Sequence, residues 1–356
     1  MIEQNATMPI WSLAALGLTS LLLVTTAVEA GCEDPPAPKV DWSGCDLTGK
    51  AFARADLRGA NLQGAMLEGV RLTGANFREA DLRDADLRGA FLAGADLFRA
   101  RLDGADFEGA VLVGASLINA DTRIQGARVF RQGPRFVGAD LTAADLRQAS
   151  LRGGDFRGAV LDRATLGGAG VSEADFGDAS LIDVDMQGVV APVARFDGAD
   201  LRGAKLSRDL DSASFVGADL SGAVLSGNFM RADFSGAVLD GTSLSGVFTE
   251  ASFKGGDLRR SRFSAGSLVL VAADLTGADL RGVKLGDFDG DEVVLRRADL
   301  RGADLAGAFV VGGDFRGADL TGASIEGAEF GDPDAVFEGA IWVDGEPCSE
   351  VMRCPR

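Results

Sequence analysis

Ala80-Asp81-Leu82-Arg83-Asp84 is followed at once by Ala85-Asp86-Leu87-Arg88-Gly89, and the same five-residue unit recurs from about Cys45 to Asp344. With the large apolar residue taken as the centre of each unit, Leu82, Leu87, Leu92, Leu97, Leu102, Phe107, Leu112 and Leu117 follow one another at every fifth position. Ala commonly stands two residues before a centre, Asp or Asn directly before it, and Gly often closes the unit. Self-similarity at a fixed short period is the mark of a repeat architecture.

A period of five suits neither regular element. On an α-helix successive centres would fall about 140° apart and wind around the axis. In a straight strand an odd spacing would send alternate leucines to opposite faces. The chain must therefore turn once per unit, with the centre and the Ala two before it facing one interior and the other three positions facing out. Gly at the end of the unit suits a corner that needs unusual backbone angles.

The phenylalanines indicate how many units make a coil. Phe136, Phe156, Phe176 and Phe196 are centres 20 residues apart, and Phe215, Phe234 and Phe253 continue the series in steps of 19. Four units per coil explain the 20. The centres run nine apart from Leu206 to Phe215, Leu225 to Phe234 and Leu244 to Phe253. One side of each of those coils is therefore four residues long: Asp209 to Ser212, Asn228 to Arg231 and Val247 to Glu250, carrying Leu210, Phe229 and Phe248. Extended toward the N-terminus, the column reads Leu57, Phe77, Leu97 and Leu117, with Ile124 to Pro134 absorbed in a 19-residue step to Phe136. Toward the C-terminus it reads Leu275, Leu295, Phe315 and Phe337, with two steps of 22. The expectation is about fifteen stacked coils, roughly 70 Å of rod at a strand spacing of ~4.8 Å.

The units Ala55-Asp56-Leu57-Arg58-Gly59, Ala105-Asp106-Phe107-Glu108-Gly109 and Ala318-Asp319-Leu320-Thr321-Gly322 resemble the pentapeptide-repeat family, over nearly all of residues 45 to 344. The resemblance implies an all-β fold, a right-handed quadrilateral β-helix. It implies no single function, because one fold hosts many. Members of the quinolone-resistance type are acidic rods that engage DNA gyrase in the cytoplasm as mimics of nucleic acid.

The chain divides into residues 1–30, a signal peptide or membrane anchor; 31–46, an N-terminal cap and spacer; 47–344, the β-helix; and 345–356, a C-terminal cap. Ile10 to Val28 carry no charge, and Val28-Glu29-Ala30 offers a small-residue cleavage site before Gly31. No Lys or Arg precedes that apolar run, and it is long enough to span a bilayer, so an inner-membrane anchor at 10–28 stays open. Lipidation at Cys32 is a further alternative. All four cysteines flank the regular coils, Cys32 and Cys45 before them and Cys348 and Cys354 after. Paired by proximity, they predict two disulfides that staple the ends of an exported protein, where uncapped coils would expose core. Pro35, Pro36 and Pro38 read as a short stiff spacer.

The sequence holds 35 basic and 53 acidic residues, a formal −18, and no His or Tyr. Loss of residues 1–31 would remove Glu3 and Glu29, leaving 35 basic against 51 acidic residues, −16. Lack of His removes the commonest general base and the usual nucleophile pairs, and no phosphate-binding Gly-Lys loop is present. No catalytic residue and no cofactor are expected. An acidic rod repels nucleic acid and anionic membranes, so a membrane is expected only if the N-terminal segment is retained.

Two irregularities invite a ligand. Asp287, Asp289, Asp291 and Glu292 crowd into what reads as an irregular side between Leu285 and Leu295, a weak candidate for a hard cation. Arg123, Arg128, Arg131 and Arg135 surround Val129 and Phe130, a mixture suited to interface anchors. Val129 or Phe130 could instead point inward as a displaced centre. The function expected is an exported, non-catalytic solenoid presenting a protein-binding or scaffolding surface in the bacterial envelope, with homodimerisation possible. The alternative is the acidic mimic of nucleic acid.

Overall fold

The computed structural model describes residues 31–121, 133–286, 288–331 and 335–348, and in them the five-residue unit is one turn-and-bridge element repeated. Its backbone donors can be followed at Leu57. Leu57 N–H donates to Asn76 O (2.8 Å) and Gly59 N–H to Arg78 O (2.9 Å), both in the next coil. Asn76 N–H returns to Ala55 O (2.9 Å), and Ala60 N–H closes a turn onto Leu57 O (3.0 Å). Arg58 N–H, the fifth, is left to the carboxylate of Asp56 (3.4 Å). These five N–H groups, one for each position of the repeat, all find acceptors, as a solenoid without continuous strands requires. Gly59 has φ 64° while Arg58 does not leave the negative region, which makes the corner a type II turn. The stack imposes that angle even on Arg54, Glu79 and Asp84, with φ of 60°, 60° and 56°.

Parallel bridges join like positions of successive coils, as in Asp41–Asn61–Asp81–Arg101–Asp121–Ser150. The bridges make a four-sided solenoid. Side 1 carries the centres Leu47, Leu67 and Leu87, side 2 Leu72 and Leu92, side 3 Leu57, Phe77 and Leu97, and side 4 Trp42, Leu62 and Leu82, all buried. The Ala two before each centre fills the corner beside it; Ala60, Ala80 and Ala100 are fully buried. The all-β quadrilateral β-helix is therefore the architecture, and the two inward positions per unit are those the sequence indicates.

The phenylalanine column differs at its N-terminal half. Phe136 stacks on Phe107, ring centroids 4.8 Å apart and 9° from parallel. The stack continues through Phe156, Phe176, Phe196, Phe215, Phe234 and Phe253 at 4.6–4.9 Å. Leu57, Phe77, Leu97 and Leu117 belong to side 3, and Leu117 N–H bonds Asp145 O (2.7 Å), the residue before Leu146. The coil holding the break is thus 29 residues long, from Asp106 to its neighbour Arg135. It is not a coil of 19. An insertion of nine restores the phase of the repeat one residue short of two units, so spacing alone cannot distinguish it from a one-residue deletion. C-terminal to Phe253 the expected column holds: Asp274, Val294, Asp314 and Val336, each preceding a centre, are bridged in order.

The continuous strands cluster in the short coils and the coils that flank them. β1 (Asp185–Val190), β2 (Lys205–Asp209), β3 (Val224–Asn228), β4 (Ser243–Val247) and β5 (Arg262–Val269) form one parallel sheet in sequence order. In β1 Val189 still turns inward at the corner; in β2 to β4 the residue that would do so is missing, and the strand runs on from side 3 into side 4. The space it leaves is filled by larger centres. Where Ala191 stands, the next coils carry Leu210, Phe229 and Phe248. Phe229 and Phe248 stack at 4.8 Å and lean at 45–51° against the main column.

Bridging starts at Asp41, inside the stretch 31–46 expected to be cap and spacer. That stretch does not stand off as a spacer: Cys32 is bonded to Cys45 (Cα–Cα 5.4 Å), and Trp42 is buried against Phe52, 4.9 Å between rings. At the other end Phe330, Phe337 and Trp342 meet edge to face, and Ile341 pairs antiparallel with Pro347. Cys348 is disulfide-bonded; Cys354 and the leader, residues 1–30, lie outside the described residues. Among those described, no helix is long and apolar enough to cross a membrane.

Candidate functional site: the outward faces

Three positions of each unit face out, and their chemistry is set first by the backbone. The carboxylate before a centre accepts the N–H two residues on, and where Arg occupies that place its fork closes on the same carboxylate. In Asp299–Arg301, Nε donates to Oδ1 (2.8 Å) and Nη2 to Oδ2 (2.5 Å); Asp56–Arg58, Asp200–Arg202, Asp257–Arg259 and Asp279–Arg281 repeat it. Guanidinium hydrogen bonds hold these carboxyls below their ordinary pKa. Asp314 goes furthest. Arg316 and Arg296 both bind it, its side chain is only 13% exposed, and its pKa is held down to about 2. A general acid or base needs a pKa near the working pH; these groups are driven the other way. The wall of the rod is acidic in composition, but much of its negative charge is matched within the same unit or the next coil.

Of the residues expected at a partner contact, Arg123, Arg128, Phe130 and Arg131 lie outside the described residues. Arg135 is described, and it belongs to the wall of side 1, paired with Asp106 and with Glu108 (3.0 Å). Close to where the break begins and ends, Arg99, Arg101, Asn119, Asp121, Gln148 and Ser150 line a cleft of ≈ 550 Å³. Phe98 beside it is covered by Arg78 and Arg99, 4.2 and 5.0 Å from its ring centre.

The acidic candidates are not an irregular side. Asp289, Asp291 and Glu292 sit on side 4 with the usual bonds, Gly290 N–H to Phe309 O and Glu292 N–H to Val311 O, both 2.8 Å. What makes the stretch look irregular is a swap of large and small inward residues. Phe288 is buried where Ala normally stands, and Gly290 holds the place of the centre, where a Cβ would come within 2.3 Å of the Phe288 ring. Asp287 lies outside the described residues, and among those described no three potential metal ligands converge.

A different face stands out. On side 3, where β2 to β5 run, the position before the centre is Lys205, Val224, Ser243, Arg262 and then Lys284, bridged in that order. All three cations are exposed, and none makes an ion pair among the described residues. Arg208, also exposed, reaches only Gly188 O among the described residues, at 3.5 Å. Ser207, Ser226 and Ser245 are in register, as are Arg208, Gly227 and Gly246. Cations at the place where the repeat prefers Asp were the signal in the sequence, spread over coils that only the register brings side by side.

The family model for pentapeptide repeats matches the chain in eight copies, from residues 40–74 to 298–332. No curated protein sequence matches significantly. Among solved structures, HetL from the cyanobacterium Nostoc, a pentapeptide repeat protein involved in heterocyst differentiation regulation, is 25% identical over 87% of this chain and 92% of its own, with TM-score 0.15. QnrB1, a plasmid-mediated fluoroquinolone resistance protein, is 20% identical over 62% of this chain and 89% of its own, with TM-score 0.23. A pentapeptide repeat protein of the Arabidopsis thaliana thylakoid lumen is 26% identical over 38% and 71%, with TM-score 0.13. With superpositions this loose, the assignment rests on the repeat match and on the type II corners, stacked centres and parallel bridges above: the chain belongs to the pentapeptide-repeat family.

Proposed function

We propose that the protein is an exported, non-catalytic solenoid whose rigid wall serves as a protein-binding or scaffolding surface in the bacterial envelope. The observation that carries this is the covalent clamp Cys32–Cys45, which ties the start of the chain to the first coil; such bonds persist in oxidising compartments and are rare in the cytosol. Residues 10–28 supply the export signal in this reading, with cleavage before Gly31 or Cys32. The carboxylate–guanidinium matching on the walls weighs against mimicry of nucleic acid, which needs unmatched negative charge.

We assign partner contact to Arg123, Arg128, Phe130 and Arg131. Capture from envelope extract by the tagged protein tests it. Arg128→Ala with Arg131→Ala should abolish capture and leave melting unchanged, since replacing charged side chains away from a core usually shifts stability little. Arg58→Ala with Arg83→Ala removes the same charge from regular Asp–Arg forks and should leave capture largely intact. Equal loss in the two double variants overturns the localised contact. Capture of a DNA-handling enzyme from cytosolic extract instead would favour the mimic.

A further inference from the structure

We propose that side 3 between β2 and β5 is a docking face for a linear acidic polysaccharide, a site beyond the protein contact proposed above. It rests on that reading only in supposing that the ligand is met outside the cytosol. Four exposed cations, Lys205, Arg208, Arg262 and Lys284, share this face, and no described carboxylate projects from it between Asp185 in β1 and Asp304, the bridge partner that follows Lys284. Asp209, at the end of β2, pairs with Asn228 round the corner on side 4. At physiological salt a charge is felt over ~8 Å, and adjacent strands are ~4.8 Å apart. The neighbours Arg262 and Lys284 therefore act together on a ligand, while the acidic walls behind the rod are largely screened.

The remaining chemistry favours a sugar polymer. Val224, 42% exposed, is the large apolar side chain exposed on this face, and no exposed aromatic stands among β2 to β5. A protein partner would lack the aromatic anchors from which interfaces draw most of their energy. A single-stranded nucleic acid would lack its stacking platform. The face carries Ser207, Ser226 and Ser245 in a row, and backbone without side chains at Gly227 and Gly246; Ser207 Oγ accepts Gly188 N–H (2.8 Å) and keeps its proton to give, and Ser245 Oγ donates to Leu225 O (3.3 Å) and keeps its lone pairs to accept. A flat strip of hydroxyls flanked by unpaired cations suits a chain of hydroxylated rings that carries carboxylates.

Binding of polygalacturonate to the purified protein tests the site, with dextran as the neutral polymer and poly-glutamate as the acidic polypeptide. The expected result is salt-sensitive binding of polygalacturonate alone. It should weaken at least tenfold in Lys205→Gln/Arg262→Gln/Lys284→Gln and persist in Lys205→Arg/Lys284→Arg, which keeps the charges. Arg54→Gln/Arg71→Gln/Arg163→Gln removes three exposed cations from side 2 and should bind as the unaltered protein does. Melting curves establish that each variant is folded. No binding by the unaltered protein, equal weakening in both triple variants, or equal binding of poly-glutamate would each overturn the assignment. None of these outcomes depends on where the protein resides.

Discussion

At the scale of the residue, the unit Ala-Asp-Leu-Arg-Gly is a closed set of hydrogen bonds. Asp is favoured before the centre because it accepts the N–H that the bridges leave over, and Arg after the centre because its fork matches that carboxylate. Asp314 shows the electrostatic consequence. Its folded pKa of about 2 lies below the ordinary 3.8, so its contribution is present above pH 4 and is lost as the pH falls through 2. The shift corresponds to roughly 2 kcal/mol at neutral pH. Asp314→Asn should lower the melting temperature at pH 7, and the difference from the unaltered protein should shrink toward pH 2; a difference independent of pH would mean that charge is not the cause. Glycine is the second residue-scale test. A Cβ on Gly246 would lie 2.2 Å from Gly227 O, whereas one on Gly49 meets nothing within 4 Å although φ is +67°. Gly49→Ala should cost about 1–2 kcal/mol, the left-handed penalty alone. Gly246→Ala should cost clearly more, because backbone must move; equal melting temperatures would show the β3–β4 approach to be looser than described.

At the scale of the element, the coil is organised by which centres stack. Phe107 and Phe136 stack across the break, so Phe107→Leu and Phe136→Leu should be coupled in a double-mutant cycle by about 0.5–1.5 kcal/mol, the range for aromatic pairs. Leu117→Ala with Phe136→Leu should be additive; the reverse pattern would restore a 19-residue coil there. The inward and outward positions, the four-sided coil, the short sides and the column from Phe136 to Phe337 were all legible, because each depends only on local period. The column before the break was not. Its register is a contact between coils, and spacing reports it only modulo five. The same limit hid the cationic face: Lys205 and Lys284 become neighbours of one strip only when coils of 19 and 22 residues are stacked. Asp289 to Glu292 misled for a different reason, since the exchange of Phe288 and Gly290 keeps the volume of the core while breaking the pattern of letters.

At the scale of the whole molecule, a solenoid's stability resides in neighbour contacts, and its ends are its weak points. The disulfide Cys32–Cys45 joins residues 13 apart and closes the N-terminal end under Trp42; closing a loop of that size is worth ~3 kcal/mol in the chain-entropy estimate. The same bond is the hinge of the functional proposal, because disulfides persist in oxidising compartments and are rare in the cytosol. The decisive measurement is thiol trapping in intact bacteria: acid quench, alkylation, and intact mass of the protein from each cell fraction. The account predicts that the protein lies outside the cytosol, begins at Gly31 or Cys32, and has neither Cys32 nor Cys45 alkylated. A chain beginning at Met1 in the cytosol with both thiols alkylated would contradict it.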